Sequence, residues 1–285
     1  MDKSNAMLRL DQRFIFNSHH IAWGMMGDGP PLVLIHGTPF SAQVWRRIAP
    51  HLAAHRRVYF YDLLGYGQSY KAPPHKTQDV SLGIQNRILM ELIDHWGLDA
   101  PDVIAHDFGG TTALRAHLLD KADFNRMILM DAVVFAPWGT PFVQHVRKHH
   151  GAFADMPSAL HEGLLNTYID SASHRGLSRE ALEVYTAPWR GDVGQAAFYR
   201  QIAQMDDAYT EEIVPALDTV RCPVSVLWGR QDGWLPPEQA CRLAETTADG
   251  TPEWIESGGH LVQDDAPEAV LAHVLPLLNR SSRAA

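Results

Sequence analysis

The residues most able to do chemistry are an aspartate, a histidine and a third acid. Asp107 is the centre of Ala-His-Asp-Phe-Gly, where small residues two positions before and after it permit a tight strand-to-helix turn. Such a turn exposes the central side chain, and the N–H of the next residue, Phe108, points into the same space. A carboxylate in this place can attack an sp³ carbon and become an ester. The simpler alternative is that Asp107 only caps the following helix.

A histidine and two candidate acids could serve this carboxylate. His260 follows a Gly-Gly turn after the last apolar run, and we predict that it activates the water that hydrolyses the ester. Asp232 also follows an apolar run and a turn, where it could orient the His260 ring and stabilise its protonated form. Asp131, at the end of the preceding run, is the alternative acid because either position can reach the same imidazole. We favour Asp232.

Short apolar runs alternate with amphipathic segments along the chain. The runs predict strands at Phe14–Phe16, His20–Trp23, Leu32–Ile35, Val58–Tyr61, Val103–Ala105, Met127–Met130, Val224–Trp228 and Trp254–Ile255. Helical periodicity predicts helices at Val44–Ala54, Val80–Trp96, Thr111–Leu118, Pro237–Thr246 and Pro267–Leu278. This alternation is typical of an α/β fold with a mostly parallel, doubly wound sheet.

The alternation stops between residues 136 and 216, where aromatic-rich helical patterns replace it. We predict a helical cap there, inserted between a first core part (1–135) and a second (217–285). Ligands of open α/β sheets bind at the carboxyl ends of the strands, so the cap would roof the site. A second domain unrelated to the site is the alternative.

Composition excludes several partners. The 285-residue chain has a net charge of −9, which argues against nucleic acid, and it contains no apolar stretch long enough to span a membrane. Its start has no apolar signal region, and Cys222 and Cys241 fit reduced thiols, so we expect a cytoplasmic protein. The sixteen histidines show no metal-binding spacing, and we expect no metal.

The ordered motifs His-Gly-Thr-Pro, Asp-Leu-Leu-Gly-Tyr-Gly-Gln-Ser, Ala-His-Asp-Phe-Gly-Gly, Gly-Arg-Gln-Asp and Gly-Gly-His resemble the α/β-hydrolase superfamily over nearly the whole chain. The aspartate narrows the resemblance to epoxide hydrolases and dehalogenases. That branch implies Asp107 as nucleophile, His260 as base, Asp232 or Asp131 as acid, and no cofactor. The N–H groups of Thr38 and Phe108 would form the oxyanion hole.

Within that branch, the sequence resembles epoxide hydrolases somewhat better. Haloalkane dehalogenases usually have a tryptophan after the nucleophile and often an asparagine in the first motif, where this chain has Phe108 and Thr38. Fluoroacetate dehalogenases have arginines after the nucleophile, which this chain lacks. Ala-Ala-Phe-Tyr-Arg-Gln is similar to the Tyr-Arg helix of epoxide hydrolase caps, so Tyr199 would donate to the epoxide oxygen, with His145 a weaker second donor.

The resulting expectation is a hydrolase that uses a covalent aspartyl ester to open epoxides of small to medium size. Its partners would be an apolar small molecule and water, and a homodimer stays open. His36, Pro39 and Trp138 complete the predicted substrate-binding set. Carbon–halogen hydrolysis is the first alternative. A non-hydrolytic ligand-binding or lyase role is the second, because a fold does not determine a function.

Overall fold

A computed structural model of the chain describes residues 6–247 and 250–279. The outermost parts of the two predicted core segments, residues 1–5 and 280–285, lie outside these ranges. Eight strands form one sheet: β1 Gln12–Phe16, β2 His19–Met26, β3 Pro31–Ile35, β4 Arg57–Tyr61, β5 Asp102–His106, β6 Arg126–Met130, β7 Val224–Gly229 and β8 Glu253–Ile255. Each contains the core of a predicted strand.

The sheet has the strand order β1-β2-β4-β3-β5-β6-β7-β8. β2 pairs antiparallel with β1 and β4, and every other pair is parallel. All residues of β5 and β6 are buried, which explains why these strands are continuous apolar runs rather than alternating ones. The predicted α/β fold with a mostly parallel sheet is confirmed. Since β3, β5, β6, β7 and β8 are parallel, their carboxyl ends meet at one edge.

Eleven α-helices lie in the described residues: α1 Ala49–Leu52, α2 Leu82–His95, α3 Phe108–Leu118, α4 Pro141–Ala154, α5 Ser158–Asp170, α6 Arg179–Thr186, α7 Gly191–Ala203, α8 Ala208–Glu211, α9 Glu238–Thr247, α10 Val262–Asp265 and α11 Pro267–Asn279. The predicted helix at Val44–Ala54 is instead a 3₁₀ turn, Ala42–Trp45, followed by the short α1. α3 begins three residues earlier than predicted. The short α10 carries no periodic signal and was not predicted.

Helices α4 to α8 all lie between β6 and β7, within the segment 136–216, which we call the helical insertion. It meets the core at the carboxyl edge of the sheet: the indole of Trp189 donates to the carbonyl of Pro39 at 2.7 Å, and Thr38 donates to Gln201 at 2.7 Å. These contacts support the cap interpretation, while the boundaries at 136 and 216 stay predictions. No helix in the described ranges is long and apolar enough to cross a membrane.

Candidate active site

Asp107 stands in the turn between β5 and α3 with φ 53° and ψ −119°, a conformation that non-glycine residues rarely adopt. The turn is tight because a Cβ on Gly109 would lie 2.2 Å from the carbonyl oxygen of Ile35. The Asp107 side chain makes no capping hydrogen bond to α3. Its Oδ1 instead accepts from the N–H of Thr38 at 2.6 Å. The carboxylate is therefore held by the loop after β3 rather than by the helix that it precedes.

His260 lies between two carboxylates. Its Nε2 is 3.4 Å from Oδ2 of Asp107, and its Nδ1 is 3.0 Å from Oδ2 of Asp232. The other oxygen of Asp232 accepts from the N–H groups of Trp234 and Leu235, at 2.7 and 3.0 Å. The acid is thus fixed by its own loop, and it fixes the ring in turn.

The charge balance around His260 favours its protonated form. Burial opposes a charge on the ring, but the carboxylates of Asp232 and Asp107 together hold the pKa of His260 well above its ordinary value. An imidazolium in this place is stabilised on both nitrogens. The same arrangement suits a base that must accept a proton from water.

Asp131 occupies a different place from Asp232. It is fully buried at the end of β6, and its Oδ1 accepts from the N–H of Gly229 at 2.8 Å. Burial and the nearby charge of Asp232 raise the pKa of Asp131 well above its ordinary value. The structure therefore brings Asp232 into hydrogen-bonding contact with His260, as favoured from the sequence. Asp131 lies behind it, where its environment favours the protonated carboxyl group.

A small cavity of about 30 Å³ opens beside Asp107, Thr38 and His260. Its apolar walls are Phe108, Val133, Trp138, Val143, Met205 and Leu235. Thr140 and Tyr168 from the helical insertion also line the cavity, and their side chains are hydrogen-bonded to each other. A volume of this size holds about two water molecules.

Three of the predicted substrate-binding and oxyanion residues lie at the cavity. Thr38, Phe108 and Trp138 all border the cavity. The rings of Phe108 and Trp138 meet edge to face at 5.3 Å, and the indole N–H of Trp138 donates to Thr210 at 3.0 Å. The backbone N–H of Phe108 opens α3, where a helix leaves such donors without intrahelical partners.

His36 and Pro39 do not border the cavity, so the geometry does not support their predicted substrate contacts. Nε2 of His36 accepts from the N–H of Leu63 at 2.9 Å, and its Nδ1 donates to the carbonyl of Gly37 at 2.9 Å. Pro39 follows a cis peptide bond, and its carbonyl accepts from the Trp189 indole. Both residues shape the loop that presents Thr38.

The two predicted cap donors also lie elsewhere. His145 is exposed on α4, where its ring packs on His149 and Phe153, away from the cavity. Tyr199 is buried, and its hydroxyl is 3.0 Å from Nδ1 of His161. Nε2 of His161 faces the carbonyl of Trp189 at 3.0 Å and must donate to it, so Nδ1 of the neutral ring accepts from Tyr199. The hydroxyl hydrogen of Tyr199 is therefore already used in the hydrogen bond to His161.

Two aromatic residues that the sequence analysis did not identify complete the site. The ring of Trp234 stacks on His260 at 4.9 Å, and Tyr168 stacks on Trp234 at 4.6 Å with an interplanar angle of 10°. Burial raises the pKa of Tyr168, so its hydroxyl keeps its proton. Trp234 could have been found from its position two residues after Asp232. Tyr168 has no local motif, because only the packing of α5 brings it to the cavity.

Comparison with known proteins agrees with this architecture. Residues 30–267 match the family model described as alpha/beta hydrolase fold. The chain belongs to this family. This alpha/beta hydrolase is 50% identical to an alpha/beta hydrolase fold protein from Burkholderia ambifaria of known structure, with a TM-score of 0.92 over 95% of this chain and 99% of that one. The family membership makes it a hydrolase that acts on a small molecule and water.

Two curated relatives of the alpha/beta hydrolase have more specific names. It is 26% identical over 281 residues to the soluble epoxide hydrolase of Corynebacterium sp. (strain C12), covering 90% of this chain and 93% of the relative. It is also 26% identical over 259 residues to haloalkane dehalogenase 2 of Mycobacterium tuberculosis (strain ATCC 25618 / H37Rv), covering 87% and 88%. The equal identities do not separate the two chemistries.

Proposed function

We propose that this hydrolase forms a covalent ester on Asp107 and that its substrates are epoxides carried on small apolar groups. The observation that carries the proposal is the position of the Asp107 carboxylate, with one oxygen on the N–H of Thr38 and the other facing Nε2 of His260. An aspartate that only stabilised the fold would not need a histidine held against it by a second acid. The reaction needs these groups, a proton donor and water.

In the first half of the reaction, an oxygen of Asp107 attacks a ring carbon of the epoxide from the cavity. The carbon–oxygen bond of the ring breaks, and the departing oxygen becomes an alkoxide that takes a proton. The Tyr168 hydroxyl supplies that proton, because Tyr168 lines the cavity and burial keeps its hydroxyl protonated. The product is a hydroxyalkyl ester of Asp107.

In the second half, His260 removes a proton from water, and the resulting hydroxide attacks the carbonyl carbon of the ester. The tetrahedral oxyanion receives hydrogen bonds from the N–H groups of Thr38 and Phe108. Asp232 stabilises the imidazolium that forms. Collapse of the intermediate releases the second oxygen of the diol, which takes the proton of His260. The proton that remains on the Asp107 carboxyl group passes to the Tyr168 phenolate, so Asp107 returns as a carboxylate and Tyr168 as a phenol. The sum is one epoxide and one water converted to one diol.

The donors around the cavity favour an epoxide over a halide. Phe108 has no N–H on its ring, and the indole N–H of Trp138 already donates to Thr210. The indole of Trp234 donates to Ser171 at 3.1 Å. A departing halide in this apolar cavity would find few donors, whereas an alkoxide can take the proton of Tyr168. The similarity to haloalkane dehalogenase 2 keeps carbon–halogen cleavage as the alternative.

A single-turnover reaction in H₂¹⁸O tests the covalent route. With enzyme in excess over styrene oxide, the first diol should carry the unlabelled oxygen of Asp107, and the label should appear in the peptide that contains Asp107. The Asp107→Asn variant is the control, since a freshly made amide cannot act as this nucleophile. Label in the diol and none in the peptide would mean direct attack by water, which is incompatible with the proposal.

A further inference from the structure

The loop that carries His260 is bound on both sides by one short stretch of the helical insertion, residues 171–174. The N–H of Leu261 donates to the carbonyl of Ala172 at 3.1 Å. Ser171 accepts from the indole of Trp234, whose ring stacks on His260. These contacts join a segment between α5 and α6 to the residues directly beside the base.

Asp265, at the end of α10, accepts three further hydrogen bonds that connect the loop to the insertion. Its Oδ2 accepts from the N–H of Gly259 at 2.7 Å and from the N–H of His174 at 2.9 Å. Its Oδ1 accepts a short hydrogen bond from the hydroxyl of Ser173. One buried carboxylate therefore holds the residue before His260 and two residues of the insertion together.

The fit at this junction is close. A Cβ on Gly259 would lie 2.6 Å from the backbone nitrogen of His174 and 3.0 Å from Oδ2 of Asp265. Only glycine allows the two backbones to approach in this way. On the other side, the carbonyl of His260 accepts from Nε2 of His106 at 2.8 Å. The backbone on either side of the base is thus fixed, and part of its support comes from the helical insertion.

We propose that Asp265 is a positioning residue that aligns the His260 ring by tying Gly259 to residues 171–174 of the insertion. A movement of the insertion away from the sheet would release Ala172 and His174 from the base loop, so the base is fully aligned only when the cavity is closed. Asp265 touches neither substrate nor the reacting atoms. The inference rests on the proposed function, in which His260 acts only in the hydrolytic half of the reaction.

Because His260 acts only in ester hydrolysis, the loss of Asp265 should affect the two steps of the reaction differently. In Asp265→Ala, the rate at which styrene oxide forms the Asp107 ester should change by no more than about twofold. Hydrolysis of that ester should slow by about 10- to 100-fold, which is the effect expected when the His260 ring is displaced by about 1 Å. The ester should therefore accumulate during turnover and be visible by intact-protein mass. Asp265→Asn, which keeps an acceptor oxygen for Gly259, should restore part of the hydrolysis rate.

Asp264→Asn is the matched control. It removes a carboxylate from the same helix, but Asp264 binds Arg46 rather than the base loop. If the slower hydrolysis in Asp265→Ala comes from misalignment of the base and not from the loss of a charge on α10, the Asp264→Asn variant should hydrolyse the ester within about twofold of the wild-type rate. Ser173→Ala, which removes one hydrogen bond to Asp265, should give a smaller change in the same direction as Asp265→Ala and remains usable if that variant does not fold.

A measurement without substrate separates this inference from the proposed function. The proton on Nδ1 of His260, hydrogen-bonded to Asp232, should give a downfield NMR resonance that is sharp in wild type and Asp264→Asn and is broadened or lost in Asp265→Ala. If no ester forms even in a His260→Phe variant, the proposed function fails and this resonance alone decides the positioning role. A folded Asp265→Ala protein with an unchanged resonance and, where an ester forms, an unchanged hydrolysis rate would overturn the inference.

Discussion

The hydroxyl of Tyr199 donates to Nδ1 of His161 at 3.0 Å, although its sequence context resembles that of an epoxide-opening tyrosine. His161 is fixed in this tautomer by the carbonyl of Trp189. Tyr168, thirty-one positions earlier on α5, borders the cavity instead. The proton donor that we propose therefore lies on a different helix of the insertion from the one that the motif indicated.

Replacing these two tyrosines with phenylalanine should separate their roles. Tyr168→Phe should lower turnover of styrene oxide by about 10²- to 10⁴-fold, the usual contribution of a positioned proton donor. Tyr199→Phe should keep its turnover and lose about 1 kcal/mol of unfolding free energy with its hydrogen bond. Steady-state rates and urea unfolding of both variants measure this. Equal losses of activity would return Tyr199 to the mechanism.

The two candidate acids should also differ on exchange to asparagine. Asp232→Asn removes the negative charge that stabilises protonated His260, and we expect ester hydrolysis to fall by about 10⁴-fold, as for the equivalent change in a serine-protease triad. Asp131→Asn keeps an uncharged polar group at a place that favours the protonated carboxyl, so its hydrolysis rate should stay near wild type. Rapid-quench kinetics on the two variants compare them. Loss of hydrolysis in Asp131→Asn alone would make Asp131 the acid.

The pH dependence of hydrolysis follows from the protonation of His260. The base must be neutral to accept a proton from water, so the rate should rise with pH through the pKa of His260 in the ester intermediate. There the charge of Asp232 still raises that pKa, whereas the esterified Asp107 carries no charge and no longer raises it. In Asp232→Asn the midpoint of the rate increase should move to lower pH, because a charge that raises the pKa of His260 is gone. Single-turnover rates across pH, with protein stability checked at each point, measure both limbs. An unshifted profile would mean that Asp232 does not act on the ring.

The buried carboxyl of Asp131 should reduce stability at neutral pH. Its pKa is raised in the folded protein, so it keeps its proton there while the unfolded chain loses it above the ordinary value of 3.8. Between these two values the folded state becomes less stable as pH rises, by about 1.4 kcal/mol per pH unit, and Asp131→Asn removes this loss. Urea unfolding at intervals of about one pH unit, from pH 4 upward, compares the free energies of unfolding of the two proteins. Parallel stability curves would place an ionised carboxylate at this position.

Much of the fold was predictable because local patterns determine it. The buried runs of β5 and β6 are apolar throughout since both faces of the sheet are covered, and the turn at Asp107 requires the small residues around it. Asp107, His260 and Asp232 each follow a strand at the same sheet edge, so their meeting could be expected from topology alone.

The walls of the cavity were less predictable, because they depend on how the helical insertion packs. Whether a tyrosine on α5 or on α7 borders the cavity depends on the contacts of each helix, such as that between Tyr199 and His161. The Asp265 connection was missed for a similar reason, since α10 is too short to show periodicity and the partners of Asp265 in the insertion are about 90 residues away in sequence. His36 shows the opposite case, a residue in a recognisable motif that the structure uses for backbone support.

Intact-protein mass of a His260→Phe variant, incubated with styrene oxide or 1-bromobutane, tests the central claim most directly. Without the base, an ester on Asp107 should accumulate, and we predict a mass increase equal to one whole epoxide molecule, located by peptide mapping to Asp107. A bare alkyl adduct from 1-bromobutane alone would replace epoxide opening with carbon–halogen cleavage. Turnover of styrene oxide by the wild-type protein, with no adduct on the variant, would contradict the covalent role of Asp107.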